Sequence, residues 1–301
     1  MRFLVFGAGA MGSLVGGLLS QVHTTVLVGR RAHVVAIRER GLRIAGKTNL
    51  VATPEAVETL APGADPDVVI VAVKAHDTKA AAEALNPLTE TALFLSLQNG
   101  LGNEETLAAS GARVLGGVTN QGVTFVGPGE VYHAGAGDTY IGPFAGTVPE
   151  EADRVAEAFN ESGLPCHRTE DIRRELWLKA IVNACINPLT ALLRVPNGYV
   201  LQTAAAEEVV HEVIQEGVDA AARYAIRLSA EAVFERVASV VQSTAENRSS
   251  MLQDLERKRR TEIDAINGAI ARLGREGGRP APTNALLARL IRAAETVPTR
   301  E

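Results

Sequence analysis

Cysteine is nearly absent from this chain. Its 301 residues hold only Cys166 and Cys185, which have neither the density of a disulfide-stapled secreted domain nor the paired spacing of a metal site. A reducing, cytoplasmic setting fits best, and no metal is expected. Positive charge is not in excess either. Thirty Lys and Arg stand against 35 Asp and Glu, for a net charge of -5. This argues against a nucleic-acid partner, because neutralising phosphates needs clustered surplus cations. Long hydrophobic runs are also lacking: no uninterrupted apolar stretch approaches the ~20 residues of a bilayer span. The apolar run ahead of Gly7 is too short for the core of a secretory leader, so neither a membrane partner nor a targeting segment is expected. Internal repeats, coiled-coil heptads and low-complexity tails are missing too.

What is present is a globular composition, 46% apolar and 22% charged, in a chain long enough for two domains with separate cores. Short β-type runs (Phe3–Phe6, Thr25–Val28, Val68–Val73, Leu93–Leu97) alternate with helical segments in the first third. That alternation is the pattern of a parallel sheet with crossover helices. From Val114 to about Gly142 the runs turn to Val, Thr, Phe and Tyr broken by glycine turns, and antiparallel strands closing the sheet are expected. A helix is predicted from Pro149 to about Glu161, and beyond Asp171 the apolar spacing is helical almost throughout. Breaks are expected at Pro188, at Val195–Gly198 and at Gly277–Pro282. The fold class read from this is α/β: an N-terminal Rossmann-type dinucleotide-binding domain, residues 1–165, and a C-terminal mainly helical domain, residues 166–301.

The dinucleotide reading rests on Gly7-Ala8-Gly9-Ala10-Met11-Gly12, a G-x-G-x-x-G directly after a strand and opening a helix. The first glycine allows the tight turn, the second lets backbone approach a pyrophosphate, and the third lets helix and strand pack closely. Free N–H groups at the helix start favour the anion. The second strand ends in Val28-Gly29-Arg30-Arg31 rather than in Asp or Glu. A carboxylate there reads a ribose 2'-hydroxyl, whereas guanidinium offers paired donors to a 2'-phosphate. NADPH/NADP+ is therefore favoured over NAD, the bland reading being a solvated Arg pair. Lys74 and Gln98-Asn99-Gly100 follow two further strands, at the carboxyl ends where such sheets bind ligands. Each is also compatible with an ordinary loop.

Lys179, Asn183 and Asn187 recur every four residues in the otherwise apolar segment Glu175–Pro188, which puts them on one helix face. Such a stripe could be a solvent face. One amine and two amides suit a wet, ligand-facing groove better, since a solvent face more typically carries Glu, Lys and Arg. For carbonyl reduction the stripe has chemical sense. Charge developing on the oxygen must be met by a proton or a fixed donor, Lys179 can supply either, and burial would bring its pKa toward the working pH.

The run Glu175-Leu176-Trp177-Leu178-Lys179 through Asn183, with Asn187–Ala191 and Pro196-Asn197-Gly198, resembles the signature of ketopantoate reductases. Thr244–Asp254, Thr261–Gly268, Lys74-Ala75 and Asn99-Gly100 agree, so the likeness covers nearly the whole chain. It implies NADPH-dependent reduction of ketopantoate to pantoate, a step toward pantothenate and coenzyme A. It also implies Lys179 as general acid, Asn183, Asn187, Asn197 and Ser250 on the substrate, and Asn99 touching both cofactor and substrate. Lys74 and Glu262 would hold the cofactor or its surroundings, Gly122 would lie on the nicotinamide side, and Arg30 or Arg31 would read the 2'-phosphate. From the residues alone, Asn197-Gly198 reads as a turn and Ser249-Ser250 as a helix cap. His133 and Cys185 are read as structural. The alternatives are a reductase of another branched 2-keto acid, whose small-molecule substrate would differ only in skeleton, and a non-catalytic NADPH-binding sensor. Helical second domains often pair, so a homodimer is left open.

Overall fold

A computed structural model describes residues 1–297. By contact the chain divides into two units, one of Met1–Gln98 with Asn103–Ile172, the other of Asn99–Gly102 with Arg173 onward. The first unit runs β1 (Arg2–Phe6), α1 (Ala10–Leu19), β2 (Thr24–Val28), α2 (Arg31–Arg40), β3 (Leu42–Gly46), β4 (Leu50–Ala52), β5 (Glu55–Val57), β6 (Val68–Val71), α3 (Thr78–Leu85), β7 (Leu93–Ser96), α4 (Asn103–Ala109), β8 (Arg113–Thr119), β9 (Gly122–Gly127), β10 (Glu130–Gly135), β11 (Thr139–Ala145), α5 (Pro149–Glu161) and β12 (Cys166–Arg168). Eight strands form the main sheet in the order β12-β11-β8-β7-β6-β1-β2-β5. Its pairs are parallel from β5 to β8, and β11 turns antiparallel against β8. The central strands β6 and β7 read Val-Val-Ile-Val and Leu-Phe-Leu-Ser and are buried throughout, as a sheet covered on both faces requires.

The expectation that everything from Val114 to Gly142 closes this sheet is corrected. β8 and β11 do join it, but β9 and β10 leave to form a second, four-stranded sheet, β4-β3-β10-β9. The reason is burial: β9 and β10 are only partly covered, so they need one apolar face, and Val131, Val123 and Phe125 bring that face to the core around α1. α1 thus lies against both sheets. A β-carbon at Gly16 would meet Leu27 of β2 at 2.2 Å, and one at Gly17 would meet Ile44 of β3 at 2.8 Å.

The second unit is helical: α6 (Ile172–Leu193), α7 (Ala204–Ala222), α8 (Ala230–Ser243), α9 (Ser250–Glu256), α10 (Asn267–Glu276) and α11 (Pro282–Glu295). Ile181, Cys185, Val210, Ile214, Val237, Ile270 and Ile291 make its core. α6 is long and apolar enough to cross a membrane by length and composition, and 72% of its apolar window is buried within the protein.

The break expected at Pro188 does not occur, because α6 continues through it to Leu193. Proline lacks the N–H that would bond the carbonyl four residues back, here that of Ala184. Asn267, fully buried, supplies the substitute: its Nδ2 donates to the Ala184 carbonyl at 3.1 Å and to Asn284 Oδ1 at 3.0 Å. Asn267→Leu is therefore expected to destabilise the protein by roughly 2 to 6 kcal/mol, from two orphaned buried acceptors at about 1–3 kcal/mol each. A urea titration checks this as a lower midpoint with unchanged slope; an unchanged midpoint would show that the carbonyl needs no such repair.

Candidate functional site

In the first unit, the turn after β1 is shaped by the glycines of the fingerprint. Gly7 has φ +106°, and a β-carbon there would sit 2.7 Å from the Val73 nitrogen. The Gly7 and Ala8 N–H groups both donate to the Val28 carbonyl, at 3.1 and 2.9 Å, so the loop is tied to the end of β2. At Gly12 a β-carbon would lie 2.2 Å from the Gly7 carbonyl oxygen. Gly9 differs: nothing lies within 4 Å of where its β-carbon would be, and it leads α1 with no side-chain cap and no acid in the first turn. Ala10 and Met11 open that helix, half-buried. The result is an uncapped helix N-terminus beside open space.

Arg30 precedes α2 and Arg31 opens it, again without a cap or an acid in the first turn. Both side chains are exposed. Buried His33, on the same helix, was missed as a framework residue. Its Nδ1 accepts the Gly129 N–H at 2.9 Å, so the ring proton sits on Nε2, 2.9 Å from Ser13 Oγ. Burial holds its pKa below the usual value, and the neutral ring joins α1, α2 and the β9–β10 turn. A polar residue inside the apolar face of α2 was the only signal available for it.

Lys74 precedes a short 3-10 turn, Ala75–Asp77, beyond β6 and is half-buried. Gln98 Nε2 donates to the Val73 carbonyl at 3.0 Å and to Thr78 Oγ1 at 2.7 Å. Gly122 opens β9 in the small sheet, paired with Gly135.

The second unit gathers the remaining candidates. Residues 99–102 pack on the 262–265 segment: Leu101 N–H donates to the Ala265 carbonyl at 2.8 Å, and Asn99 Nδ2 lies 3.4 Å from Glu262 Oε2. Gly100, at φ +90°, is required there, since a β-carbon would stand 2.6 Å from that same carbonyl. Glu262 is buried. On α6, Lys179 loses water to burial, which pushes its pKa down to about 8; the Arg236 charge adds to the fall and Glu262 opposes it. One turn on, Asn183 is half-buried, and Asn187 is buried.

Asn197 and Gly198 donate backbone N–H to the carbonyls of Asn247 and Ala245, each at 2.9 Å. Asn197 Nδ2 donates to Thr244 Oγ1 at 3.0 Å, while its buried Oδ1 has no partner. The turn expected at Asn197-Gly198 is thus also the junction between two signature segments far apart in sequence. Ser249, not Ser250, caps α9, accepting the Leu252 N–H at 3.1 Å and the Thr190 hydroxyl at 2.8 Å. Ser250 follows it, exposed.

Among the described residues, no group of three or more His, Cys, Asp or Glu could hold a metal. His133 is engaged with Thr48 and Gln121. Burial raises the Cys185 thiol above its usual range and lifts Cys166 to about 12, so neither is a thiolate nucleophile.

Residues 3–146 match the family model for ketopantoate reductase PanE/ApbA, and residues 171–295 match that for its C-terminal part. The chain is 42% identical over 295 residues to a 2-dehydropantoate 2-reductase of Archaeoglobus fulgidus, covering 98% of each. Among solved structures, a PanE/ApbA family ketopantoate reductase from Ralstonia eutropha JMP134 superposes with a TM-score of 0.90 at 33% identity, over 98% of each chain. A D-mandelate dehydrogenase with NADH and anilino(oxo)acetate does so with a TM-score of 0.92 at 29% identity, again over 98% of each. The chain belongs to the ketopantoate reductase PanE/ApbA family.

Proposed function

We propose that this protein reduces 2-dehydropantoate (ketopantoate) to pantoate with NADPH, a step that feeds pantothenate and coenzyme A synthesis. The observation that carries the reading is Lys179, its pKa drawn down to about 8, on the same helix face as Asn183 and Asn187 in a chain 42% identical to a 2-dehydropantoate 2-reductase. The first unit, which runs on through β12 to Ile172 rather than ending at residue 165, acts as the NADP(H)-binding domain, and the second carries substrate binding and catalysis.

The residues of the first unit fit a nicotinamide dinucleotide. The open space at Gly9 and the uncapped start of α1 suit a pyrophosphate approached by backbone N–H groups of Gly7–Gly12. The exposed side chains of Arg30 and Arg31 are assigned to the 2'-phosphate. Lys74 and Gly122, in the same unit, are assigned to the cofactor's surroundings. When bound, the reduced nicotinamide supplies hydride to the keto carbon.

Lys179 in its ammonium form gives a proton to the keto oxygen, which becomes the product hydroxyl. Its position near pH 8 lets it be protonated at neutral pH yet release the proton readily. Glu262 keeps the ammonium charged, and Asn99 steadies Glu262 through its amide. The Asn183, Asn187 and Asn197 amides and the Ser250 hydroxyl hold substrate oxygens without adding charge.

A second reading, reduction of another 2-keto acid, is favoured by the likeness to the D-mandelate dehydrogenase. Following NADPH absorbance with ketopantoate, 2-ketoisovalerate, pyruvate and benzoylformate separates the two. The highest kcat/KM is expected for ketopantoate; turnover of a different acid with none for ketopantoate would sink the assignment.

A further inference from the structure

α1 and α2 each begin without a side-chain cap, and one imidazole joins their first turns. Ser13 closes the first turn of α1, its backbone N–H donating to the Gly9 carbonyl at 3.0 Å. His33 and Val34 close that of α2 on the Arg30 carbonyl, at 2.9 and 3.1 Å. Between the two turns, His33 Nε2 donates to Ser13 Oγ at 2.9 Å, and both side chains are buried. The direction of that bond is fixed from the other side of the ring, because Nδ1 accepts the Gly129 N–H at 2.9 Å and so carries no proton itself.

The third partner continues along α2. His33, Ala36 and Arg40 share one face of the helix by their spacing, and the turn between β9 and β10 rests on it. A β-carbon at Gly129 would stand 3.1 Å from that of Ala36, and Arg40 Nη2 donates to the Pro128 carbonyl at 2.7 Å. Phe125 of β9 lies against the imidazole, ring centroids 5.0 Å apart. His33 is thus held at both nitrogens and by an aromatic ring, and it fixes how the start of α2 sits against α1. What each start presents gives that bond a use: open space at Gly9 on α1, and the exposed Arg30 and Arg31 on α2. The N–H bonds of Gly7 and Ala8 to Val28, and of Gly29 to Val57, hold the strand end, and α2 starts beyond it. A dinucleotide phosphorylated on its ribose carries two anionic groups at a set separation, so two anion subsites act together only when their spacing matches.

We propose that His33 spaces the 2'-phosphate arginines from the pyrophosphate loop, and so sets the preference for NADPH over NADH. This rests on the NADP(H) reading and adds to it a buried positioning residue that acts through Arg30 and Arg31. NADH, which lacks the 2'-phosphate, engages only the loop and is insensitive to the spacing.

Fluorescence titration of the purified protein with NADPH and with NADH is the test. In His33→Leu the Kd for NADPH is expected to rise roughly 10-fold, the worth of a misplaced charge-assisted hydrogen bond, while that for NADH stays within about threefold. Ser13→Ala breaks the bridge and leaves the ring in place, so it should act in the same direction, and it decides the matter should His33→Leu not fold. The two amides separate the ring contacts. A glutamine amide nitrogen reaches the place of Nε2, and an asparagine oxygen that of Nδ1, so His33→Gln should restore most of the preference and His33→Asn little of it. In an Arg30→Ala/Arg31→Ala background, His33→Leu should change the NADPH Kd by less than about twofold, since the guanidiniums it acts through are gone. An unchanged NADPH Kd, equal losses for both cofactors, or a full effect in the arginine-free background overturns the assignment of His33 and leaves the cofactor reading standing. A wild-type protein that binds NADH as tightly as NADPH overturns that reading, and the role of His33 with it.

Discussion

Lys179→Ala is expected to lower kcat for ketopantoate by roughly 10²- to 10⁴-fold, the usual contribution of a positioned general acid. Hydride arriving at the keto carbon leaves negative charge on oxygen, and the Lys179 ammonium is the group proposed to meet it with a proton. The variant should keep its affinity for NADPH, because the glycine loop and the Arg pair belong to the other unit. The pH dependence gives a second check. In wild type the proton donor is the ammonium form, so kcat/KM should be level below pH 8 and fall as pH rises through about 8. Lys179→Ala should lose that limb. Lys179→Arg retains a cation but not a group that titrates in this range, so it too should lose the limb. Turnover within tenfold of wild type in the alanine variant would mean that another group delivers the proton.

The parts of this site that were readable from sequence are those where spacing alone dictates geometry. A G-x-G-x-x-G after a strand leaves few conformations open, and Gly7 and Gly12 show why: a β-carbon at either would run into backbone. The four-residue spacing of Lys179, Asn183 and Asn187 likewise puts them on one face in any helix. Contacts between residues distant in sequence were not readable. That Asn267 satisfies the Ala184 carbonyl depends on α10 meeting α6, so Pro188 alone looked like a helix end. The small sheet was hidden because β3 pairs with β10 across more than eighty intervening residues, and local alternation carries no record of which sheet a strand joins. Asn99, by contrast, stands out in the sequence by its place after a strand, yet its tie to Glu262 emerged only from the folded second unit.

The double variant Arg30→Ala/Arg31→Ala is expected to weaken NADPH binding by roughly 10²-fold, with NADH binding changed by less than about threefold. The two cofactors differ only in the ribose 2'-phosphate, so a residue that reads this group must act on one and spare the other. The geometry supports such a selective effect. Val28 ends β2, where its carbonyl accepts the N–H groups of both Gly7 and Ala8, and the two arginines follow after a single glycine. The glycine loop and the Arg pair are therefore held at neighbouring strand ends. His33 ties the same helix to α1 through Ser13, so truncating the exposed arginines leaves that framework in place. Each side chain is exposed, which holds the expected effect to charge-assisted hydrogen bonds in partly wet surroundings rather than the larger worth of a buried pair. The single variants then divide the role: if one guanidinium grips the phosphate in bidentate fashion, its loss alone should reproduce most of the double effect. Fluorescence titration with each cofactor reads the result directly, and raising salt should narrow the gap between them in wild type. Equal losses for NADPH and NADH would place the arginines on the pyrophosphate or in the fold instead.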